Sequence, residues 1–273
     1  MKKKFKSEFI LLSFLGGLTS LSLPPFNLFI INFFTFSIFF GLLFKNLNKK
    51  IEKKIFFFYG WFFGFGYFFT NLYWITISLS FDKNFSFLIP LALIFIPSFL
   101  ALFYGSITLI FNLFNPKNIL ISFFIFSVFF GILEFIRGSI LTGFPWNLIV
   151  YSFSKNLSFL SILSLIGTYS LNLIVISFFT APAIYILRKS KKEIGVCIFL
   201  VLLPIIFFTH GNFQKKQFKN KELEKLSYTI RIIGSNISLE RFNNKIDTEK
   251  AIHELISISS PVSNEKTFFV WPE

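Results

Sequence analysis

Residues 119–136 read Ile-Leu-Ile-Ser-Phe-Phe-Ile-Phe-Ser-Val-Phe-Phe-Gly-Ile-Leu-Glu-Phe-Ile. A helix needs roughly 20 such residues to cross about 30 Å of hydrocarbon. Similar apolar stretches run approximately from Phe9 to Leu23, Phe26 to Phe44, Ile55 to Phe81 and Phe85 to Phe114 before it, and from Leu157 to Leu187 and Ile194 to Thr209 after it. The first is short. The third, fourth and sixth are long enough to tilt or to include interfacial turns. The expectation is a polytopic α-helical membrane domain of about seven spans over residues 1–209.

Composition agrees. Of 273 residues, 54% are hydrophobic, 21% aromatic and 15% charged, with a mean hydropathy of +0.69. A soluble domain carries about 25% charged residues, and disorder requires low hydrophobicity, so both classes are excluded. The 46 phenylalanines read as compositional drift at lipid-facing positions rather than an aromatic binding stripe. Cys197 is the single cysteine, which rules out an internal disulfide and any CxxC metal site; no metal or cofactor is expected.

The amino-terminal Met-Lys-Lys-Lys-Phe-Lys and the apolar run after it are built like a signal peptide, without a small-residue cleavage site. Pro24-Pro25 leads at once into another span, so a retained first helix is expected. Fourteen lysines and arginines fall in the amino-terminal tail and the second, fourth and sixth loops, whereas the other loops hold only Lys83, Arg137 and Lys155. The positive-inside rule then puts the amino terminus in the cytoplasm and, after an odd number of spans, the carboxyl-terminal segment outside. Most of the net charge of +14 lies before residue 210. It is a topology signal, and no nucleic-acid partner is expected.

Beyond Thr209 the pattern changes. Residues 210–227 are polar and lysine-rich, suited to a linker or an interfacial helix, and Tyr228-Thr-Ile-Arg-Ile-Ile-Gly234 alternates like a strand. Asp247 to Ile258 has helical spacing with Asp247 able to cap it, and Lys266-Thr-Phe-Phe-Val-Trp271 reads as a short buried strand. This is a β-α-β beginning, for which parallel pairing is the default. Residues 228–273 are too few to bury a core of their own, so they are expected to open a larger domain that this chain does not complete.

Two stretches carry chemistry. Gly143-Phe144-Pro145-Trp146-Asn147 follows the fifth span, and Glu134 and Arg137 precede it at i, i+3 spacing on one helix face. Phe144 and Trp146 suit a membrane interface, and Pro145 fixes the backbone. The loop is either an aromatic anchor or a lipid-contacting site. Glu134 and Arg137 are either a structural ion pair or groups facing a polar cavity, as ionisable residues at a membrane edge usually do. The second stretch is Val270-Trp271-Pro272-Glu273, where a carboxylate ending a strand sits at a sheet edge and can be tuned into a general base.

Together with Leu23-Pro24-Pro25-Phe26-Asn27, Gly64-Phe-Gly-Tyr67, Leu72-Tyr73-Trp74, Glu134-Phe-Ile-Arg137-Gly, Leu141-Thr-Gly-Phe-Pro-Trp146-Asn, Ile166-Gly167-Thr-Tyr-Ser-Leu171 and Trp271-Pro-Glu273, the chain resembles the apolipoprotein N-acyltransferases. These are bacterial inner-membrane enzymes of the nitrilase superfamily. The resemblance implies that residues 228–273 begin a truncated α/β nitrilase-like sandwich. It also implies a two-step reaction on the periplasmic face, in which a Cys thiolate takes an acyl chain from a phospholipid and yields it to the amino group of a lipoprotein's diacylglyceryl-cysteine. In the family a Glu is general base and a Lys opposes the developing oxyanion, a division that follows from thiol and carbonyl chemistry. Glu273 matches the Glu. The Lys and Cys follow it in the family and have no match here, so this chain alone is expected to be inactive.

Cys197 lies within a span and before Glu273, so it reads as a small hydrophobe. His210 and His253 lack catalytic partners at informative spacing and read as interfacial and helix-surface residues. Asn236-Ile-Ser-Leu-Glu-Arg-Phe242 departs from the family's usual Asn-Ile-Pro-Gln and Lys-Trp, with Phe242 a candidate substrate contact beside Phe144, Pro145, Trp146, Glu134 and Arg137. Gly60 and Gly64 form a GxxxG pair explained by close helix packing. The rival functions are a non-enzymatic scaffold or transporter subunit, which needs polar residues deep in several spans, and a membrane-anchored amidase releasing the same thioester to water.

Overall fold

A backbone in hydrocarbon must satisfy its own N–H and C=O groups, and a helix does so within one segment. The computed structural model of the chain describes residues 3–47, 49, 51–141, 143–220, 227–234, 248–262 and 266–271 and is mostly helical. It divides into two units, Met1–Phe218 and Lys219–Glu273.

The first unit holds α1 (Lys3–Ser20), α2 (Ile31–Leu47), α3 (Lys53–Asn71), α4 (Ile89–Phe114), α5 (Ile119–Ser139), the short α6 (Leu157–Leu160) and α7 (Leu163–Ile166), α8 (Thr168–Leu187), and α9 (Lys191–Asn220), which runs into the second unit. 3₁₀ turns at Tyr73–Ser80 and Lys83–Leu88 lie between α3 and α4, and one at Ile149–Phe153 follows α5. Asn118 caps α5 by accepting from the Leu120 N–H at 2.8 Å.

Four helical segments, Lys83–Phe114, Ile119–Ser139, Thr168–Leu187 and Lys191–Asn220, are long and apolar enough to cross a membrane among the described residues. A fifth counts if α3 and the turn after it, bent by 48°, form one span. With that pair counted as one span, two of the seven stretches expected from sequence form helices that fall short of that test. Lys3, Lys4, Lys6 and Glu8 charge the start of α1, and α2 has only 17 residues. The stretch from Leu157 to Leu187 is interrupted at Gly167, whose φ of +77° ends the short helices and starts α8. The helix of the last stretch, α9, continues past Thr209 through residues 210–220, the polar segment expected as a linker or an interfacial helix.

Packing follows the small residues. A Cβ on Gly60 would lie 2.0 Å from the Tyr104 carbonyl oxygen, and one on Gly64 would lie 2.8 Å from the Tyr104 Cβ, so α3 and α4 meet at backbone distance where the GxxxG pair is. On the other face of α3, a Cβ on Gly66 would stand 1.9 Å from the Ser13 carbonyl of α1. Thr108 of α4 ties the first of these interfaces by donating to the Phe56 carbonyl at 2.6 Å. Phenylalanine fills the remainder, with Phe36, Phe39, Phe63, Phe126 and Phe130 buried in ring-to-ring contact.

The second unit contains β1 (Thr229–Ile232), α10 (Thr248–Ser259) and β2 (Thr267–Val270). The strands pair in parallel, Thr229 opposite Thr267 and Ile232 opposite Val270, as a β-α-β connection demands. β2 is not the buried strand that its sequence suggested: Phe268 is 62% and Val270 50% exposed. Side chains alternate across a strand, and one of this pair's faces is uncovered within the unit. Asp247, the expected cap of α10, lies outside the described residues.

Candidate functional site

The last two turns of α5 carry Glu134 and Arg137, and the i, i+3 spacing does bring them together. Arg137 Nε and Nη2 both donate to Glu134 Oε2, the former at 3.2 Å, and both side chains are almost wholly buried. Arg137 does more than neutralise its neighbour. Its Nη1 donates to the carbonyls of Phe144 at 2.7 Å and Trp146 at 3.1 Å, while the Phe144 N–H donates back to the Arg137 carbonyl at 3.0 Å. A planar guanidinium presents donors on three nitrogens in fixed directions, so one side chain joins a carboxylate to two points of a loop. Phe68 and Phe144 flank it, their ring centroids 5.3 and 5.9 Å from its Cζ.

The loop itself is shaped by backbone conformation. Gly143 has φ +79° and a Cβ there would lie 2.4 Å from the Gly138 carbonyl, so only glycine fits the turn. Thr142 lies outside the described residues. Asn147, at φ +62°, has its carbonyl held by the Tyr67 hydroxyl of α3 at 2.7 Å. Farther on, the buried Asn172 of α8 accepts from the Val150 N–H at 2.9 Å and holds down the turn at Ile149–Phe153.

These anchors leave Pro145 and Trp146 exposed on the rim of a pocket of about 580 Å³. Leu23 and Pro24 supply one wall, Asn71 and Trp74 another, and Asn147 and Tyr151 close it. Trp74 and Trp146 touch, with ring centroids 5.6 Å apart. Burial, reinforced by the neighbouring Tyr169, raises the Tyr151 hydroxyl pKa and keeps it protonated. The Leu-Pro-Pro-Phe-Asn segment joins the same wall through Ser154, whose hydroxyl donates to Asn27 Oδ1 at 3.2 Å. A largely apolar mouth with a few polar groups is what a lipid-like ligand needs.

Comparison with known proteins decides the family. The family model for the apolipoprotein N-acyltransferase N-terminal domain matches residues 15–181. The chain belongs to the apolipoprotein N-acyltransferase family. Curated apolipoprotein N-acyltransferases are similar to it: 30% identity over 270 residues for that of Allorhizobium ampelinum, 32% over 273 for Brucella melitensis biotype 1 and 34% over 273 for Rhodopseudomonas palustris. Each alignment covers 94% of this chain and 50% of the relative, so the chain spans about half the length of the apolipoprotein N-acyltransferases it matches. The matched residues 15–181 contain the Glu134–Asn147 segment, Trp74 and Tyr67 together.

Phe242 and Glu273 lie outside the described residues. Trp271, beside the latter, donates from its indole to Ser259 Oγ at 2.9 Å, tying the end of β2 to α10. Cys197 is half-buried in α9, with its Sγ 3.5 Å from the Ala181 carbonyl, and His253 is exposed on α10. Tyr67 and Asn172 were not singled out as site residues from sequence. Tyr67 stands in a quoted motif, which is a usable signal, whereas nothing local marks Asn172, whose partner is 22 positions away.

Proposed function

We propose that this chain is the membrane half, with the first elements of the soluble half, of an enzyme that moves an acyl chain from a phospholipid to the terminal amine of a diacylglyceryl-modified lipoprotein. The observation that carries this is the Arg137-anchored loop holding Pro145 and Trp146 over a mostly apolar pocket. Domain limits of 1–209, 210–227 and 228–273, seven crossings and a nitrilase-like continuation after β2 belong to the same proposal. So do a cytoplasmic amino terminus, a periplasmic second unit and residence in a bacterial inner membrane.

In the proposed chemistry a thiolate attacks the phospholipid ester carbonyl, and the ester C–O bond breaks to leave a lysophospholipid and a thioester. The lipoprotein amine then attacks the thioester, forming an amide and returning the thiol. Glu273 takes the thiol proton and delivers it to the departing lysophospholipid oxygen in the first step, then takes the amine proton and returns it to the thiolate in the second. Trp146, Phe144 and Pro145 receive hydrocarbon, while Glu134 and Arg137 position that loop rather than touch the reacting atoms. Phe242 is a further substrate contact.

The experiment is acyl transfer to a synthetic diacylglyceryl lipopeptide in proteoliposomes. The 273-residue chain is expected to form no product, because no Lys and Cys follow Glu273 within it. A polypeptide extended to the relatives' length is expected to form triacylated product, abolished by Glu273→Gln and reduced about tenfold by Trp146→Ala. Wild-type turnover by Glu273→Gln would overturn the assignment.

A further inference from the structure

The ends of the helices in the first unit group into two sets. Leu23, Pro24, Asn71, Trp74, Trp146 and Tyr151 share one pocket at the aromatic loop, whereas Glu8, Lys45, Lys49 and Leu187 share another at the opposite end of their helices. This second cleft, between α1, α2 and α8, has a volume of about 730 Å³. Leu11, Ile38, Leu42 and Ile186 form its floor, and Gly41 leaves it open, since a Cβ there would meet nothing within 4 Å.

The rim is polar and ordered. The Tyr59 hydroxyl donates to Glu8 and accepts from Asn46 Nδ2 at 3.2 Å, and Asn46 Oδ1 accepts from Lys49 Nζ at 2.5 Å. The carboxylate on this rim is thus engaged by a neutral hydroxyl. Lys45, in the last turn of α2, and Lys49, just beyond it, are both exposed beside it. Among the described residues lining the rim, two ammonium groups stand against one carboxylate, a positive balance.

We propose that this cleft holds an anionic phospholipid, one acyl chain lying along the Gly41 floor and the head-group phosphate between Lys45 and Lys49. The charge balance selects the occupant, because basic pockets between membrane helices favour anionic head groups. A further spanning helix, about 10 Å wide and 30 Å long, displaces roughly 2,000 Å³ and does not fit. The lipid is a resident ligand that reacts with nothing. Its site is separate from the Trp146 pocket and does not rest on the acyl-transfer proposal.

The test is native mass spectrometry of the 273-residue chain in detergent with equal amounts of palmitoyl-oleoyl phosphatidylglycerol and phosphatidylcholine. One phosphatidylglycerol per chain is expected, with phosphatidylcholine occupancy at least fivefold lower. Lys45→Gln with Lys49→Gln is expected to bring phosphatidylglycerol down to the phosphatidylcholine level. Gly41→Phe, which fills open space, is expected to displace both lipids while circular dichroism stays unchanged. Equal retention of the two lipids, wild-type binding by both variants, or a dimer without lipid would overturn the proposal.

Discussion

The two ends of the helical unit treat charge in opposite ways. At the aromatic loop a single arginine is buried, every nitrogen of its guanidinium engaged by Glu134 or by the loop it holds. At the other end lysines are numerous and those at positions 45, 49 and 54 are exposed. The same kind of positive group therefore builds a rigid feature in one place and a solvated rim in the other. What separates them is the availability of fixed acceptors: Arg137 has a carboxylate and two carbonyls within reach, whereas among the described residues Lys54 pairs with the exposed Glu52, 2.8 Å away.

That contrast breaks most severely at Arg137. Arg137→Leu should destabilise the unit by about 3–5 kcal/mol, because it leaves the Glu134 carboxylate buried and unpaired. Thermal denaturation in detergent measures this, and the environment of Trp146 should become more water-like in tryptophan emission. Arg137→Lys should rescue only partly, since an ammonium cannot span the carboxylate and both carbonyls.

Glycines extend the comparison. Gly66→Ala forces a Cβ into the Ser13 carbonyl and should cost about 1–3 kcal/mol through displaced backbone. Gly41→Ala meets open space and should be neutral, or stabilising by up to about 1 kcal/mol from helix propensity. Equal losses at both positions would show that the two ends are equally packed.

Smaller effects sharpen the picture. Tyr67→Phe removes one hydrogen bond to the Asn147 carbonyl and should cost about 0.5–1.5 kcal/mol. Lys54→Gln at the exposed end should leave the melting temperature unchanged, because exposed ion pairs contribute little.

Legibility in the sequence follows from how local each cause is. The long apolar runs, the Glu134–Arg137 pair and the close approach at Gly60 depend on spacing within one helix, and all three could be read directly. The parallel pairing of β1 with β2 followed from the β-α-β order. The length of the third and sixth stretches announced interfacial turns, but their places, after Asn71 and at Gly167, were hidden because hydropathy stays high across them. The role of Asn172, the Trp74–Trp146 contact and the hold of Tyr67 on Asn147 arise from distant segments, and no single-segment pattern encodes them. The expected burial of β2 came from its composition, but burial depends on what covers a strand.

The order of Glu134 and Arg137 along the chain also bears on biogenesis. An arginine in a spanning helix raises the apparent cost of insertion, by about 2.5–3.5 kcal/mol at the centre and less toward an end such as that of Arg137, and the carbonyls of residues 144 and 146 are synthesised only after α5. Glu134 precedes Arg137 by three positions, so the counter-charge emerges from the ribosome first. α5 is therefore synthesised with its arginine already matched by a carboxylate, before the loop carbonyls that complete its hydrogen bonds exist.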